Sequence, residues 1–361
     1  MKTRKPLPRF TTQLLKWYRA RERYMPWRGE TDPYRIWLSE VMLQQTQVET
    51  VIPYYQRWLK KYPTLQHVAQ ASEDEVLKTW EGLGYYARVR NFRYACQQVV
   101  ERYNGQIPSD PEMFSLLKGV GPYIQAAVLS IAFRTPIAAV DGNVKRGVAR
   151  LLKLSTPPSQ SLSKIELFLK QMISKENPGD FNQAMMDLGA TLCTRSRPKC
   201  EQCPVSSECG AYQSGMTHLF PKLEKRLIRP HYSIAVGVIW KGDKILVSKR
   251  KSNGLLGGLW EFPGGKVEVG ETSSQCVVRE VKEELDVRVK VGRSLGKIQH
   301  AYTHFSIDME VFMCQYVSGQ PKAIECADFR WITWDELKNL AFPKSNHKVF
   351  PLIRGAREAR L

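Results

Sequence analysis

The sequence contains no apolar stretch that could cross a membrane and no pattern typical of export. Its longest apolar runs, Ala126–Phe133 and Ile234–Trp240, are far shorter than the roughly 20 residues that a membrane-spanning helix needs. The basic residues at the start of the chain are followed by Pro6 and polar residues instead of the apolar segment of a secretory signal. These absences predict an unprocessed, soluble, cytoplasmic protein without a membrane partner.

Acidic residues are also scarce. The 361 residues include 35 Asp and Glu against 54 Lys and Arg, a formal net charge of +19. Hydrophobic residues make up 43% of the chain, which is enough for ordinary packed cores and excludes a mainly disordered protein. At roughly 150 residues per domain, the length predicts two or three domains. A positive surplus of this size favours a polyanionic partner, such as nucleic acid, over a purely solubilising role.

The eight cysteines do not form the pattern of a secreted disulfide scaffold, because four of them are crowded near the middle of the chain. Cys193, Cys200, Cys203 and Cys209 are separated by six, two and five residues. Only one pair therefore has the C-x2-C spacing that zinc sites usually repeat. Four cysteines at irregular spacing also suit a four-iron four-sulfur cluster. The cluster is the favoured interpretation, and a zinc ion is the alternative.

The hydrophobic pattern changes along the chain. Apolar residues recur three or four positions apart up to about residue 215, which predicts helices. The basic stretch Thr217–Pro230 then predicts a linker, and β-type runs follow from His231. The pattern predicts an all-α part followed by a smaller α+β domain. The predicted helices are Pro33–Val48, Val51–Lys61, Ser72–Trp80, Arg88–Arg102, Ile124–Phe133, Val144–Leu154, Ser161–Ser174 and Ser273–Leu285, and the predicted strands are Tyr232–Trp240, Lys244–Lys249, Val287–Val291, Phe305–Tyr316 and Phe329–Thr333.

Three short motifs in the helical part could carry chemistry. Gly119 and Gly121 in LKGVGPY allow a tight turn whose amides face a phosphate, or they simply connect two helices. Asp141 in VDGNVKR is either only a helix cap or a functional carboxylate. Glu40 lies among large apolar residues, where its pKa would be raised and it could act as a general acid, although a half-exposed glutamate is the commoner case.

Together with the cysteine spacing, these motifs resemble the helix-hairpin-helix DNA glycosylase superfamily. The segments PWR at 26–28, LSEVMLQQTQ at 38–47 and WEGLGYYAR at 80–88 narrow the resemblance to the adenine DNA glycosylase, or MutY, family over essentially the whole chain. The resemblance implies a multidomain fold, in which an all-α helix-hairpin-helix glycosylase with an iron–sulfur cluster module is followed by an α+β Nudix-like (MutT-like) domain.

The resemblance also implies domain boundaries. The all-α glycosylase is expected over 1–217, a basic linker over 218–231 and the Nudix-like 8-oxoguanine recognition domain over 232–361. Within the glycosylase, the six-helix part is expected at about 29–135, and the N-terminal segment with 136–217 would form the iron–sulfur part.

The family's reaction is base excision repair by hydrolysis of the N-glycosidic bond of adenine mispaired with 8-oxoguanine or guanine. The resemblance implies that Glu40 protonates the adenine and that Asp141 stabilises the sugar cation. Glycoside hydrolysis uses a pair of carboxyl groups in the same two roles. Asn143 would orient Asp141. Tyr123 stands where bifunctional relatives carry a nucleophilic lysine, which implies a monofunctional glycosylase. Direct attack by water and a covalent intermediate on Asp141 both stay open.

Further contacts with double-stranded DNA are implied. Gln45, Thr46 and Tyr85 would wedge beside the 8-oxoguanine while the adenine is flipped out. The loop Tyr302, Thr303 and His304 would contact the lesion, and Trp27, Arg28 and Gln183 would line the adenine pocket. Phosphates would be held by Gly119 and Gly121 through their amides and by a group of cations, which are Arg88, Arg146, Arg195, Arg197, Lys199 and the linker residues Lys222, Lys225, Arg226 and Arg229.

The C-terminal part departs from the family in one respect. It retains Glu280, Glu283 and Glu284 at i, i+3 and i+4, one helix face that suits a magnesium-bound diphosphate. These glutamates belong to the Nudix box, a motif whose acidic residues are usually lost in the family. In this chain the motif is retained except at Asp286, which replaces the usual glycine. The favoured interpretation is lesion recognition, and the alternative is an additional magnesium-dependent hydrolysis of nucleoside triphosphates.

Two alternatives belong to other functional classes, a redox protein that uses the cluster and a non-catalytic lesion-binding module. A redox carrier would not need Glu40 and Asp141, and a pure binder would tolerate the loss of both. The sequence therefore predicts a monomeric DNA glycosylase with a four-iron four-sulfur cluster, associated with the bacterial nucleoid through DNA.

Overall fold

The computed structural model describes residues 8–21, 23–224 and 228–358. Lys225 and Arg226 of the expected linker lie outside these residues. The described residues of Met1–Gln70 and Tyr94–Arg226 form one compact unit, unit 1, and those of Ala71–Arg93 and Leu227–Leu361 form unit 2. The sequence patterns did not predict that residues 71–93 group with the C-terminal part.

The N-terminal two thirds of the described chain is helical. Within the described ranges, no helix combines the length and the apolar character that crossing a membrane requires. The helices are α1 (Arg9–Ala20), α2 (Pro33–Leu43), α3 (Val48–Lys61), α4 (Leu65–Gln70), α5 (Glu73–Trp80), α6 (Ala87–Tyr103), α7 (Pro111–Ser115), α8 (Pro122–Ala132), α9 (Gly142–Leu151), α10 (Leu162–Met172), α11 (Pro178–Thr191) and α12 (Gly210–Gln213).

Helix α2 begins at a cap and ends earlier than predicted. Asp32 accepts a hydrogen bond from a backbone amide of the first turn, as helix-capping residues do. The helix ends at Leu43, and Gln45 has a left-handed backbone with a φ of 57°. The prediction of one helix over Pro33–Val48 is therefore wrong at its C-terminal end, because a residue in this conformation cannot continue an α-helix.

The sequence patterns did not predict α11, although it lies at the centre of unit 1. Its glycines lower helix propensity and interrupt the apolar pattern. A Cβ atom on Gly189 would lie 2.5 Å from Cβ of Asn143, and one on Gly179 would lie 2.9 Å from Cα of Ile131. The glycines that interrupt the helical pattern in the sequence, Gly179 and Gly189, are thus the residues that let α11 approach α8 and α9 closely.

One core joins the N-terminal helix to the later helices of unit 1. Leu14 of α1, Val148 of α9, Ile165 of α10 and Phe181 of α11 are buried in the same cluster. Cys193, Cys203 and Cys209 pack against its edge. The cysteine loop is therefore anchored on the helices that also carry Asp141 and Asn143.

Unit 2 contains a mixed sheet with strand order β3-β2-β1-β6-β5, in which β4 also pairs with β1 and β7 with β2. Strands β1 and β6 are parallel, and the other pairs are antiparallel. The elements are β1 (His231–Lys241), β2 (Lys244–Lys249), β3 (Trp260–Glu261), β4 (Gly264–Lys266), α13 (Ser273–Leu285), β5 (Arg288–Ala301), β6 (Ser306–Ser318), β7 (Asp328–Ile332), α14 (Lys344–His347) and α15 (Val349–Glu358).

The sheet is covered on both faces, which explains the continuous apolar sequence of β1. Ala235 and Ile239 share a core with Val277 of α13, whereas Val238 belongs to a second core with Phe342. Successive side chains of a strand point to opposite faces. Both faces of β1 are thus buried over residues 235–240, and the residues from Ile234 to Trp240 are apolar.

Candidate active site

Glu40 lies on α2 with only 4% of its surface exposed. The hydroxyl of Tyr123, in the first turn of α8, donates a hydrogen bond to Oε2 of Glu40 over 2.7 Å. Burial raises the pKa of Glu40 above its ordinary value, although the Tyr123 hydrogen bond and the charge of Arg28 act in the opposite direction. A carboxyl group in such surroundings can hold a proton near neutral pH and deliver it to a bound base.

Asp141 caps the N-terminus of α9. Its Oδ1 accepts a hydrogen bond from the Val144 amide over 2.7 Å, and its Oδ2 accepts one from Nδ2 of Asn143 over 2.9 Å. Burial raises the pKa of Asp141, while these hydrogen bonds and Arg146 lower it. The start of a helix favours a negative charge. The hydrogen bonds therefore orient the Asp141 carboxylate, and the helix N-terminus partly compensates its negative charge.

The structure brings the four expected catalytic side chains together. Burial, and then the negative charges of Glu40 and Asp141, raise the pKa of Tyr123, whose side chain is partly buried. The charge of Asp141 also raises the pKa of Glu40. Asn143 donates a hydrogen bond to Asp141, so Glu40, whose pKa is raised, lies near a second carboxyl group that accepts hydrogen bonds from the Val144 amide and the Asn143 side chain.

Arg146 has a structural contact that the sequence did not indicate. Its Nη2 donates to Oδ1 of Asn143 over 2.8 Å and to the Gly189 carbonyl over 2.7 Å, and its Nε donates to the Cys193 carbonyl over 2.8 Å. The guanidinium expected to contact phosphate thus connects the Asn143 side chain with the cysteine loop. The i, i+3 spacing of Asn143 and Arg146 on α9 is the signal that could have indicated it.

A second polar group surrounds Arg28, one of the residues expected in the adenine pocket. Its guanidinium donates to Oε1 of Gln183 and, over 2.7 Å, to Oδ2 of Asp187. Trp27 is buried and packs edge to face against Tyr55. Asp187 was not singled out from the sequence. It lies four residues after Gln183 on α11, the spacing at which two side chains share a helix face.

The glycine-rich turn precedes α8. Gly119 has a φ of 80°, a conformation that favours glycine. Gly121 is the N-cap of α8 and provides no side chain to bond the helix amides, and the space where its Cβ would lie is open. The turn thus leads into the N-terminus of the 11-residue helix α8, a position that favours a phosphate.

The four expected cysteine ligands line one cavity together with Arg150, and all four are free thiols. Across the described ranges, no three or more His, Cys, Asp or Glu side chains converge closely enough to hold a single metal ion. Arg150 is only 3% exposed, and it donates to Sγ of Cys193 over 3.3 Å and to the Thr194 carbonyl over 2.7 Å. Four thiols beside a buried cation fit an anionic metal–thiolate group.

The expected lesion-reading residues lie in both units. Gln45 and Thr46 form the turn after α2 in unit 1. In unit 2, the hydroxyl of Tyr85 donates to Oγ1 of Thr303 over 2.6 Å. Tyr302 is anchored, because its hydroxyl donates to Oγ of Ser345 over 2.8 Å and its ring stacks on a neighbouring phenylalanine. His304 is exposed.

Arg88, one of the cations expected to contact phosphate, hydrogen-bonds the turn that carries Tyr85. Its Nη2 donates to the carbonyls of Leu83 and Gly84 over 3.3 and 3.0 Å, and the guanidinium lies over the rings of Trp80 and Tyr85. Burial lowers its pKa to about 10. These contacts stabilise the turn that carries Tyr85.

The acidic helix face of unit 2 is organised around Arg279. Its guanidinium binds Glu271, Glu280 and Glu283 over 2.6 to 3.1 Å. Oε2 of Glu284 is buried without a hydrogen-bond partner among the described residues. Burial, and then the charges of Glu261 and Glu280, raise the pKa of Glu284 to about 9.

Comparison with known proteins supports both halves of the fold. Residues 38–172 match the model of the HhH-GPD superfamily of base excision DNA repair proteins, and residues 235–352 match the NUDIX domain model. The adenine DNA glycosylase of Rattus norvegicus is 35% identical over 94% of this chain and 77% of its own length. That of Buchnera aphidicola subsp. Baizongia pistaciae is 34% identical over 82% of this chain and 84% of its own length.

A solved structure of a thermostable thymine-DNA glycosylase is also similar. It has a TM-score of 0.53 and 27% identity, and the match covers 57% of this chain and 95% of that one. The predicted fold class, a helical glycosylase followed by a Nudix-like domain, is confirmed.

Proposed function

Because the chain belongs to the adenine DNA glycosylase family, we propose that it excises adenine mispaired with 8-oxoguanine or guanine in duplex DNA. The chain is a DNA glycosylase of base excision repair, so the proposal concerns the excised base and the base opposite it. We propose further that it acts as a monomer in the bacterial cytoplasm.

The single observation that best supports the proposal is the buried Glu40 in contact with Tyr123 and near Asp141. Departure of adenine requires a proton on the base and negative charge near the developing sugar cation. Glu40, with its raised pKa, holds the proton that the base takes up. Asp141, held by Asn143 and the start of α9, places a carboxylate beside the sugar.

The route after bond cleavage depends on the same two carboxylates. In one route, Glu40, now deprotonated, activates the water that attacks the sugar cation. In the other, Asp141 bonds transiently to the sugar carbon, and the water then displaces it. The contact between Asn143 and Asp141 serves both routes, because it fixes the orientation of the carboxylate.

Tyr123 supports a monofunctional enzyme. A lysine amine at this position would attack the sugar and lead to strand cleavage, whereas a phenol cannot form a Schiff base. The hydroxyl of Tyr123 is already committed to Glu40. We therefore propose that the enzyme leaves an intact strand with an abasic site.

Lesion recognition is proposed for residues of both units, Gln45 and Thr46 in unit 1 and Tyr85, Thr303 and His304 in unit 2. The Tyr85–Thr303 contact, with Gln45, Thr46 and His304, would hold the 8-oxoguanine after the adenine is flipped out. The backbone amides of Gly119 and Gly121 would bind a phosphate near the flipped nucleotide.

We propose that Cys193, Cys200, Cys203 and Cys209 hold a four-iron four-sulfur cluster. When bound, the cluster supplies a rigid, charged scaffold for the loop, whose exposed cations Arg195 and Lys199 are then presented to phosphates. Arg150 would compensate the charge of the thiolates. Iron and sulfide analysis of the purified protein tests the assignment, and a zinc-loaded, iron-free protein would contradict it.

The proposed glycosylase activity is tested with a duplex that carries adenine opposite 8-oxoguanine. Wild-type protein should yield strand breaks at the adenine only after alkali treatment. Asp141→Asn should yield few breaks, because the charge that stabilises the sugar cation is lost. Strand cleavage without alkali would contradict the monofunctional assignment, and cleavage by Asp141→Asn at the wild-type rate would contradict the catalytic one.

A second candidate function is supported by Oε2 of Glu284, which is buried and has no hydrogen-bond partner among residues 8–21, 23–224 and 228–358. Glu280, Glu283 and Glu284 are carboxylates of the type that binds Mg²⁺ together with substrate phosphates. A bound Mg²⁺ would neutralise their charge and polarise a phosphate oxygen. On this proposal, the chain also hydrolyses 8-oxo-dGTP or dGTP.

Full-length protein with Mg²⁺ and either nucleotide tests the second function by release of phosphate or pyrophosphate. Turnover should be lost in Glu284→Gln and retained in Glu40→Gln, which alters only the glycosylase site. No turnover by the wild type, or turnover that persists in Glu284→Gln, would exclude this second function.

A further inference from the structure

We propose that Glu81 is a positioning residue for lesion recognition, because it connects the Tyr85 turn to the same C-terminal segment that holds the Tyr302–Thr303 loop. This inference rests on the proposed function, in which Tyr85 and Thr303 contact the 8-oxoguanine. Glu81 itself does not contact DNA on this account. All of the residues concerned lie in unit 2.

The Glu81 carboxylate accepts hydrogen bonds from the C-terminal segment and from a nearby lysine. Its Oε1 accepts one from the Phe342 amide over 2.8 Å and one from Nε2 of His347 over 2.9 Å. Its Oε2 accepts one from Nζ of Lys78 over 2.5 Å. The Glu81 side chain is only 15% exposed, so these contacts are largely shielded from water.

Lys78 extends the same contact. Its ammonium group also donates to the Leu340 carbonyl over 3.0 Å. Although burial alone would raise it, the hydrogen bonds from His347, Lys78 and Phe342 hold the pKa of Glu81 below its ordinary value. The carboxylate is therefore ionised at neutral pH, and charged acceptors make stronger hydrogen bonds than neutral ones.

The path from Glu81 to Tyr85 is short and stiff. The indole N–H of Trp80 donates to the Gly84 carbonyl over 3.1 Å, and the Gly82 amide donates to the Tyr86 hydroxyl over 3.1 Å. Arg88 donates to the Gly84 carbonyl as well. A displacement at Glu81 is therefore transmitted to Tyr85, four residues later.

The path from the C-terminal segment to Thr303 is equally direct. Ser345 lies between the two segment residues that bind Glu81, and its Oγ accepts the hydrogen bond from the Tyr302 hydroxyl. Thr303 follows Tyr302 and meets the Tyr85 hydroxyl. The contacts thus close a ring in which Glu81 and the Tyr85–Thr303 pair are on opposite sides.

A different ion pair in the same unit provides a matched control. Asp74 lies on helix α5, whose C-cap is Glu81, and pairs with Lys249 over 2.6 Å and with Arg330 over 3.6 Å. These partners belong to β2 and β7 and do not connect to the Tyr302 loop. Removing the Asp74 charge removes both ion pairs between α5 and the two strands, and it leaves the hydrogen bonds of the ring intact.

The test compares Glu81→Gln with Asp74→Asn in single-turnover excision of adenine opposite 8-oxoguanine and opposite guanine. Glutamine keeps the shape of the side chain, but its amide presents donors to Lys78 or His347, which are themselves donors. We expect Glu81→Gln to reduce the preference for 8-oxoguanine by about tenfold, roughly the effect of losing one hydrogen bond to a charged group. Excision opposite guanine should change little, and Asp74→Asn should keep the wild-type preference.

A double-mutant cycle identifies the route of the effect. Tyr85→Phe removes the hydroxyl that meets Thr303, so adding Glu81→Gln to Tyr85→Phe should cause no further loss of preference. Additive losses would overturn the inference, as would equal losses on both duplexes or an unchanged preference in Glu81→Gln. If the wild type itself shows no preference for 8-oxoguanine, the proposed lesion recognition fails first, and the inference fails with it.

Discussion

At the scale of single residues, the acidity of Glu40 depends on opposing effects. Burial raises its pKa, and the hydrogen bond from Tyr123 lowers it. Sequence position alone indicated an apolar environment for Glu40, because apolar residues flank it on α2. The contact with Tyr123 could not be predicted from sequence patterns, since 83 residues separate the two side chains.

Replacing Tyr123 by Phe should shift the pH dependence of base release. Glu40 acts as an acid, so the single-turnover rate falls as the pH rises through its pKa. Loss of the hydrogen bond raises that pKa further, and the falling limb of the profile should move to higher pH. Tyr94→Phe, at an exposed position of α6, is the control. A limb that moves to lower pH would contradict the assigned acid.

At the scale of elements, close backbone approach positions the site. Helix α13 was predicted with its observed limits, Ser273–Leu285, and the structure shows a capping box between Thr272 and Gln275 at its start. Helix α11 was not, since Gly179 and Gly189 interrupt its pattern while they allow tight packing. Strands β3 and β4 are too short to give a periodic signal.

Gly189→Ala should impair folding and catalysis together. The added Cβ would lie 2.5 Å from Cβ of Asn143, so α11 must move away from the residue that orients Asp141. We expect the free energy of unfolding to fall by roughly 1–3 kcal/mol, the usual cost of adding a group to a well-packed position. Base release should also be slower, because Asn143 orients Asp141. Urea unfolding and single-turnover rates measure the two effects.

Gly147→Ala is the matched control for that change. Gly147 lies in α9, and no atom is within 4 Å of the position its Cβ would occupy. Alanine has the higher helix propensity, so this variant should be at least as stable as the wild type. If Gly189→Ala and Gly147→Ala have the same free energy of unfolding and the same rate of base release, the role given to the α9–α11 contact is contradicted.

At the scale of the whole molecule, the residues that give the chain its net positive charge differ from those proposed to recognise the lesion. The surplus of +19 is spread along the chain, whereas Tyr85 and Thr303 are two side chains 218 residues apart. Composition therefore predicted a polyanionic partner, but no local pattern could predict this contact or the grouping of residues 71–93 with the C-terminal part. The residues that the family motifs indicated as catalytic lie together in the structure.

This separation predicts the salt dependence of DNA binding. The dissociation constant should increase steeply between roughly 50 and 200 mM salt, because phosphate contacts release counterions. The ratio of the constants for 8-oxoguanine and guanine duplexes should change much less. Titration of both duplexes at each salt concentration measures this, and a preference that disappears with salt would show that the charges select the lesion.

The central claim is that Glu40 and Asp141 together release adenine. The most direct measurement is single-turnover base release from a duplex with adenine opposite 8-oxoguanine, by wild type, Glu40→Gln and Asp141→Asn at equal, saturating enzyme. The wild type should release free adenine, and each variant should be slower by about a hundredfold or more, the usual contribution of an acid–base group. Release by either variant at the wild-type rate would contradict the account.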